Sequence, residues 1–189
     1  MKEKKNALKR LLEIRGMGGA LTAFAGLIII YIVFGLINPK VLSLQNILNL
    51  LRSMSKYLLI GLGQSVVMIT GNIDLSIGSV VGMSAMMSAT LMTRGIPLIP
   101  ALFLTLCLGL LIGLLNGILV GKFKLPPFIA TLGTMFVARG IGYLVNGNRN
   151  TDNIAAVLGK GEGDRFQSFF YYGKTLGIYN TFWIALILF

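Results

Sequence analysis

The stretch Thr70–Gly82, TGNIDLSIGSVVG, gathers the residues best equipped for chemistry in an otherwise apolar chain. Its Asp74 is the only acidic residue between Glu13 and Asp152, and Asn72, Ser76 and Ser79 stand beside it among Gly71, Gly78 and Gly82. A carboxylate, an amide and two hydroxyls can accept and donate hydrogen bonds. They make no acid–base pair, because no second acid or base lies nearby. The chain has no histidine, and its one cysteine, Cys107, sits inside an apolar run, so we expect no catalytic set, no metal site and no cofactor. The Gly-Lys dipeptides at Gly121, Gly159 and Gly173 lack the upstream glycine of a phosphate-binding loop, and nucleotide hydrolysis is not expected of this chain.

What remains for such residues is to cap a helix or to line a path. Asp74 can accept from the amides of Ser76 and Ile77, and its charge suits the positive end of the helix that follows. Gly71 and Gly78 allow the backbone geometry of a helix break. Two readings stand side by side. In one, the stretch is a capped turn at the cytoplasmic interface. In the other it is a break at membrane depth, and Gly71, Asn72, Asp74, Ser76, Gly78 and Ser79 border a translocation pathway. Gln64 and Ser65, just upstream, serve either as interhelical glue or as lining of the same path.

The elements that must hold this stretch are transmembrane helices. Of 189 residues, 55% are hydrophobic and 12% charged, with a mean hydropathy of +0.81. The net charge of +11 does not point to nucleic acid, because the basic residues fall mostly between apolar runs, where they set topology. We expect an all-α polytopic transmembrane bundle of about five full spans plus a truncated sixth, broken around residues 70–79. The first span covers about Met17 to Ile37 and stops at Pro39, and Ser43 caps a second helix from Leu44 to Thr70. A third runs from Ser76 to Thr93 and a fourth from Leu98 to Gly121. Pro126-Pro127 starts a fifth that reaches Val145. A polar, Gly-rich loop of residues 146–178 precedes the sixth run, which is too short to cross before Phe189 and suggests a fragment of a longer chain.

Residues 1–16 form a basic N-terminus with no cleavable signal, followed by a single membrane domain over 17–189. Lys122 and Lys124 share its side if five crossings precede the long loop. The N-terminus is then cytoplasmic and residues 146–178 are extracytoplasmic, in a plasma (inner) membrane protein. Arg52 and Lys56 then lie toward the outer side and snorkel, as does Arg139, for which snorkelling is favoured over a salt bridge to Asp74.

Small residues recur at helical spacing. Gly109, Gly113, Gly117 and Gly121 trace one face of the fourth span, and Ala130, Thr134 and Ala138 one face of the fifth. In lipid such faces let helix backbones approach closely, so packing is the expected role, with Asn116 beside the stripe as an interhelical hydrogen bonder.

Two segments, LGQSVVMITGNIDLSIGSVVGMSA and LPPFIATLGTMFVARGIGYLVNG, resemble the permease subunits of ABC importers of simple sugars, of the ribose, xylose and galactose type. The likeness runs from about Leu42 to the end, with Asn72 where the family's usual pattern has a second Gly. The resemblance implies a subunit that pairs with a second permease copy or sibling and docks cytoplasmic ATPase subunits. It would receive sugar from an extracytoplasmic binding protein. The coupling loop of such permeases has no counterpart before Phe189, which implies that the chain as written does not couple to ATP hydrolysis. A secondary transporter is the alternative, although that class carries more ionisable residues within its spans. A non-transporting membrane fragment is the third reading.

Overall fold

Helix boundaries in this chain are set by its prolines and glycines. A computed structural model describes residues 17–151, 161 and 163–188. The basic N-terminus expected at 1–16 and part of the expected loop lie outside them. The chain divides into two compact units, Met1–Leu50 and Leu51–Phe189.

In the first unit, α1 spans Met17–Ile37, and a 3₁₀ turn follows at Pro39–Leu42. Asn38 caps that turn by accepting from the Lys40 amide at 3.1 Å. The turn is then fixed through one carbonyl: Val41 O accepts from the Tyr31 hydroxyl and from Asn46 Nδ2, both at 2.8 Å. Two donors fill both lone pairs of one oxygen, which specifies the turn without a tight glycine. Ser43 then caps α2 (Leu44–Ile69), its Oγ accepting from the Asn46 amide at 3.3 Å.

Helix α2 continues into the second unit and ends at Gly71, whose φ of +76° only glycine adopts freely. The Gly71 amide bonds Met68 O and the Asn72 amide bonds Val67 O, the pair of bonds that closes a helix on a left-handed residue. Helix α3 (Ile77–Thr93) closes the same way at Gly95. Next come α4 (Leu98–Gly121) and α5 (Pro127–Val145), the latter opening on the expected proline. A π-helical turn (Gln167–Tyr172), a hairpin of β1 (Lys174–Thr175) and β2 (Ile178–Tyr179), and α6 (Asn180–Leu188) complete the described chain. Residues 146–178, expected as loop, thus contain a helical turn and a two-stranded hairpin.

The hairpin turns on Leu176 and Gly177, with φ of +54° and +80°. Two central residues with positive φ make the turn whose twist matches paired strands. Asn180 locks the segment: its Nδ2 donates to Phe169 O at 3.2 Å and its Oδ1 accepts from the Thr175 hydroxyl at 2.7 Å. Trp183 Nε1 donates to Thr175 O at 2.9 Å.

α1, α4 and α5 are each long and apolar enough to cross a membrane, and α3 is a shorter apolar helix. α3 packs most extensively on α5 and next on α4. The contact side of α5 is its small-residue row, with Ala130, Thr134 and Ala138 all buried, and the row extends one turn to Gly142. A Cβ built at Gly142 would lie 3.4 Å from the Cα of Met83, so the two backbones nearly touch there. The core between these helices is therefore small side chains plus Met83, Ala89, Thr90 and Met92. This is how helices associate when lipid removes the hydrophobic driving force.

Candidate functional site

The break between α2 and α3 is shorter than residues 70–79. Its non-helical part ends at Ser76, and Gly78 and Ser79 lie in the first turn of α3. Gly71 alone supplies the left-handed geometry, because Gly78 is helical. Asp74 Oδ1 accepts from the Ser76 amide at 2.7 Å and from the Ser76 hydroxyl at 2.6 Å. Ser76 rather than Asp74 occupies the capping position, so the expected bond from the Ile77 amide is not made. A carboxylate bonding two residues ahead forms a side-chain turn that mimics a backbone one.

From Ser76 the bonding passes to other helices. Asn116 Nδ2 of α4 donates to Ser76 Oγ at 2.9 Å, and the Thr134 hydroxyl of α5 donates to Asn116 Oδ1 at 2.8 Å. Ser76, Asn116 and Thr134 are 1%, 7% and 6% exposed, so this string is shielded from solvent and must be satisfied internally. Every donor points the same way, from Thr134 through Asn116 and Ser76 to the Asp74 carboxylate. A second tie lies alongside: the Leu75 amide donates to Thr131 Oγ1 at 3.2 Å. Thr131 in turn donates to Pro127 O at 2.8 Å, within its own helix.

These bonds fix relative direction and depth. The start of α3 lies beside the start of α5, and Arg94 Nη2, just past the end of α3, donates to Val145 O at the end of α5. The two helices are parallel, with α4 antiparallel to both. Asn116 is five residues before the end of α4 and Thr131 four residues past the start of α5. At 1.5 Å per residue, the break is inset by roughly 6–8 Å from that end of the bundle. Thr70, Gly71 and Ile73 on the break are exposed, whereas Ser76 is buried.

Two cavities flank it. The larger, about 440 Å³, includes Thr70, Asn72, Asp74, Asn116 and Thr131 among its walls, with Gly113, Gly117 and Gly121 of α4. The other, about 350 Å³, runs along α3 and α5 past Gly78, Ser79, Met83, Met135 and Arg139. Gln64 lines neither; its Oε1 is buried with no hydrogen-bond partner among the described residues. Arg139 is exposed and forms no ion pair with Asp74 among the described contacts.

The glycine row of α4 makes no close approach to another described element: a Cβ at Gly109, Gly113, Gly117 or Gly121 would have no atom within 4 Å beyond its own helix backbone. Spacing identified the row but not what it faces, and the close approach occurs instead at Gly142. Thr131 and Thr134 are the site residues whose bonding role the sequence did not reveal. Their partners sit 56 and 18 positions away in the chain, and no local signal marks them.

Apolar helices with small-residue packing and a broken helix between them are the features of a multi-pass α-helical membrane protein. The chain belongs to the family described as branched-chain amino acid transport system / permease component, whose model matches residues 46–189. It is 40% identical over 133 residues to the ribose import permease protein of Bacillus subtilis, covering 70% of this chain and 41% of that protein. To an autoinducer 2 import system permease protein of Escherichia coli it is 36% identical over 138 residues, 73% of this chain and 40% of that one. A ribose import permease protein of Haemophilus influenzae is 34% identical over 167 residues, 88% and 50% of the two chains. The chain thus spans half or less of the length of these relatives. No solved structure matches it.

Proposed function

We propose that this chain is part of the membrane-spanning subunit of an ATP-driven importer and carries a simple sugar across the plasma membrane. One observation carries the reading: in a chain of the permease family, a broken helix with a buried polar string borders two cavities inside the bundle. Walls of this kind suit a polar solute, which needs hydroxyls, amides and a carboxylate to replace water, not a catalytic set. Asn72, Asp74 and Gly71 flank the path at one end, and Gly78 and Ser79 continue it along α3. Gln64 of α2 lines neither cavity, and its buried Oε1 suits it to bonding between helices.

In this reading the chain crosses the bilayer five times, with a sixth span begun by α6. The N-terminus, Lys122 and Lys124 are cytoplasmic, and residues 146–178 are extracytoplasmic. Arg52 supports that arrangement, because it contacts Tyr171 of the loop segment and so shares its side. Hydrolysis belongs to separate cytoplasmic ATPase subunits, sugar arrives from an extracytoplasmic binding protein, and a second permease copy or sibling completes the path. The open glycine row of α4 serves helix packing in that assembly.

Deleting the gene in its host and measuring uptake of labelled monosaccharides tests the function. Loss of uptake of one sugar, restored by a plasmid copy, is expected; unchanged uptake of every sugar tried overturns the reading. In a Cys107→Ala background, Lys124→Cys should resist an impermeant thiol reagent in intact cells while Asn150→Cys reacts.

A further inference from the structure

Arg52 and Lys56 stand one turn apart on α2, and neither has a carboxylate partner among the described residues. Arg52 Nη1 donates to Tyr171 O at 3.3 Å, and the guanidinium lies 4.5 Å and 4.7 Å from the ring centroids of Tyr171 and Tyr179. Stacking of this kind holds the guanidinium in place and leaves most of its five N–H groups uncommitted. Lys56 is exposed. Both cations open onto a third cavity, of about 230 Å³, together with Ser53, Phe170, Tyr171 and Thr181. The Thr181 hydroxyl oxygen is buried there and has no hydrogen-bond partner among the described residues. The pocket therefore offers two positive charges and a free hydroxyl, and its described lining includes no acid.

Its level relative to the bilayer follows from the helix. Beyond Lys56 the uncharged part of α2, Tyr57–Ile69, is 13 residues long, about 20 Å, against the roughly 30 Å of a hydrocarbon core. Lys56 must then sit at or just inside the edge of the acyl region, where its ammonium reaches the headgroup layer. The neighbouring Phe169, Phe170, Tyr171 and Tyr172 are all exposed, as aromatic residues at a membrane interface are. An exposed aromatic run, two unpaired cations and an orphan hydroxyl at that depth match a headgroup phosphate with its acyl chains alongside the rings.

We propose that the pocket of Arg52, Lys56, Phe170, Tyr171 and Thr181 binds the phosphate headgroup of an anionic phospholipid. Charge complementarity selects the anionic lipid over a zwitterionic one, since the latter brings its own cation to a positive pocket. The assignment is independent of what the chain transports, and loss of lipid binding would leave the uptake experiment interpretable.

Trp183 is the only tryptophan in the chain and lies two residues beyond Thr181, so its fluorescence reports on this pocket. The full chain is reconstituted in vesicles containing phosphatidylglycerol or phosphatidylcholine brominated high on the acyl chains. Quenching should favour brominated phosphatidylglycerol by about fivefold or more in relative affinity, and Lys56→Gln should remove about fivefold of that preference. Lys56 makes no bond among the described residues, so this variant retains the fold; Thr181→Val should weaken the preference without abolishing it. Equal quenching by the two lipids, or a preference unchanged in Lys56→Gln, overturns the proposal. Relief of quenching by millimolar inorganic phosphate would identify a soluble-anion site and also overturn it.

Discussion

Ser76 and Asn116, 40 positions apart in the chain, share a 2.9 Å hydrogen bond that joins the start of α3 to the interior of α4. The Asn116 amide is used at both ends, donating to Ser76 and accepting from Thr134 of α5. One side chain thus connects three helices. Asn116→Ala removes both bonds at a buried position and should destabilise the protein by about 1–3 kcal/mol. Thermal unfolding in detergent measures it. A double-mutant cycle with Ser76→Ala should give a coupling of at least about 0.5 kcal/mol, and additive losses would mean that the bond carries no energy.

Asp74 holds the turn through a single oxygen, Oδ1. Asp74→Asn keeps that acceptor and loses the charge at the positive end of α3, so stability should fall by about 0.5–1 kcal/mol. Asp74→Ala should cost more, about 1–2 kcal/mol, because the Ser76 amide loses its partner. If uptake collapses in Asp74→Asn while the protein folds and assembles, the carboxylate charge itself acts in the path.

Gly142 and Gly113 look alike in sequence and should respond differently. A Cβ at Gly142 meets the Met83 backbone, whereas one at Gly113 has no neighbour within 4 Å outside its own helix among the described residues. Gly142→Leu should lower the unfolding temperature clearly, by the equivalent of about 1–3 kcal/mol. Gly113→Leu should leave the single chain within about 0.5 kcal/mol of the parent. A defect confined to assembly with other subunits is expected of the second variant alone.

Leu176 holds φ at +54° while 87% of its surface is exposed. Left-handed geometry costs a leucine about 1–2 kcal/mol, and no burial offsets it here. Leu176→Asn should therefore stabilise the hairpin by about 0.5–1 kcal/mol. Slower amide exchange at Ile178 and Tyr179 would register the gain, and unchanged exchange would count against the turn geometry.

How much of this was legible in the sequence depends on the range of the interaction. Helix bounds were legible because Pro39, Gly71, Gly95, Pro97 and Pro126-Pro127 stop or start helices by their own backbone chemistry. The bonding of Asp74 was half legible. A carboxylate before a helix marks a cap, but which amides it reaches depends on one or two backbone angles. The hairpin at 174–179 was hidden, since Leu-Gly lacks the Asn-Gly or Asp-Gly pattern that announces such turns. The partners of Ser76 and Leu75 were illegible, because spacing along a chain carries no information on which helix lies opposite. The glycine row of α4 shows the same limit: periodicity defines a face, and only the fold says what the face meets.

The string from Thr134 to Asp74 has a mechanical consequence. Because Asn116 is bonded at both ends, turning or sliding α4 breaks its link to α3 and its link to α5 together. α3, α4 and α5 consequently behave as one lever, with the inset break as its foot. Small displacements stretch every bond in the string and are resisted. A slide of one turn, about 5.4 Å, would set Asn116 opposite Ala130 or Ala138, neither of which can replace Thr134, so the string holds this end of the bundle in one register.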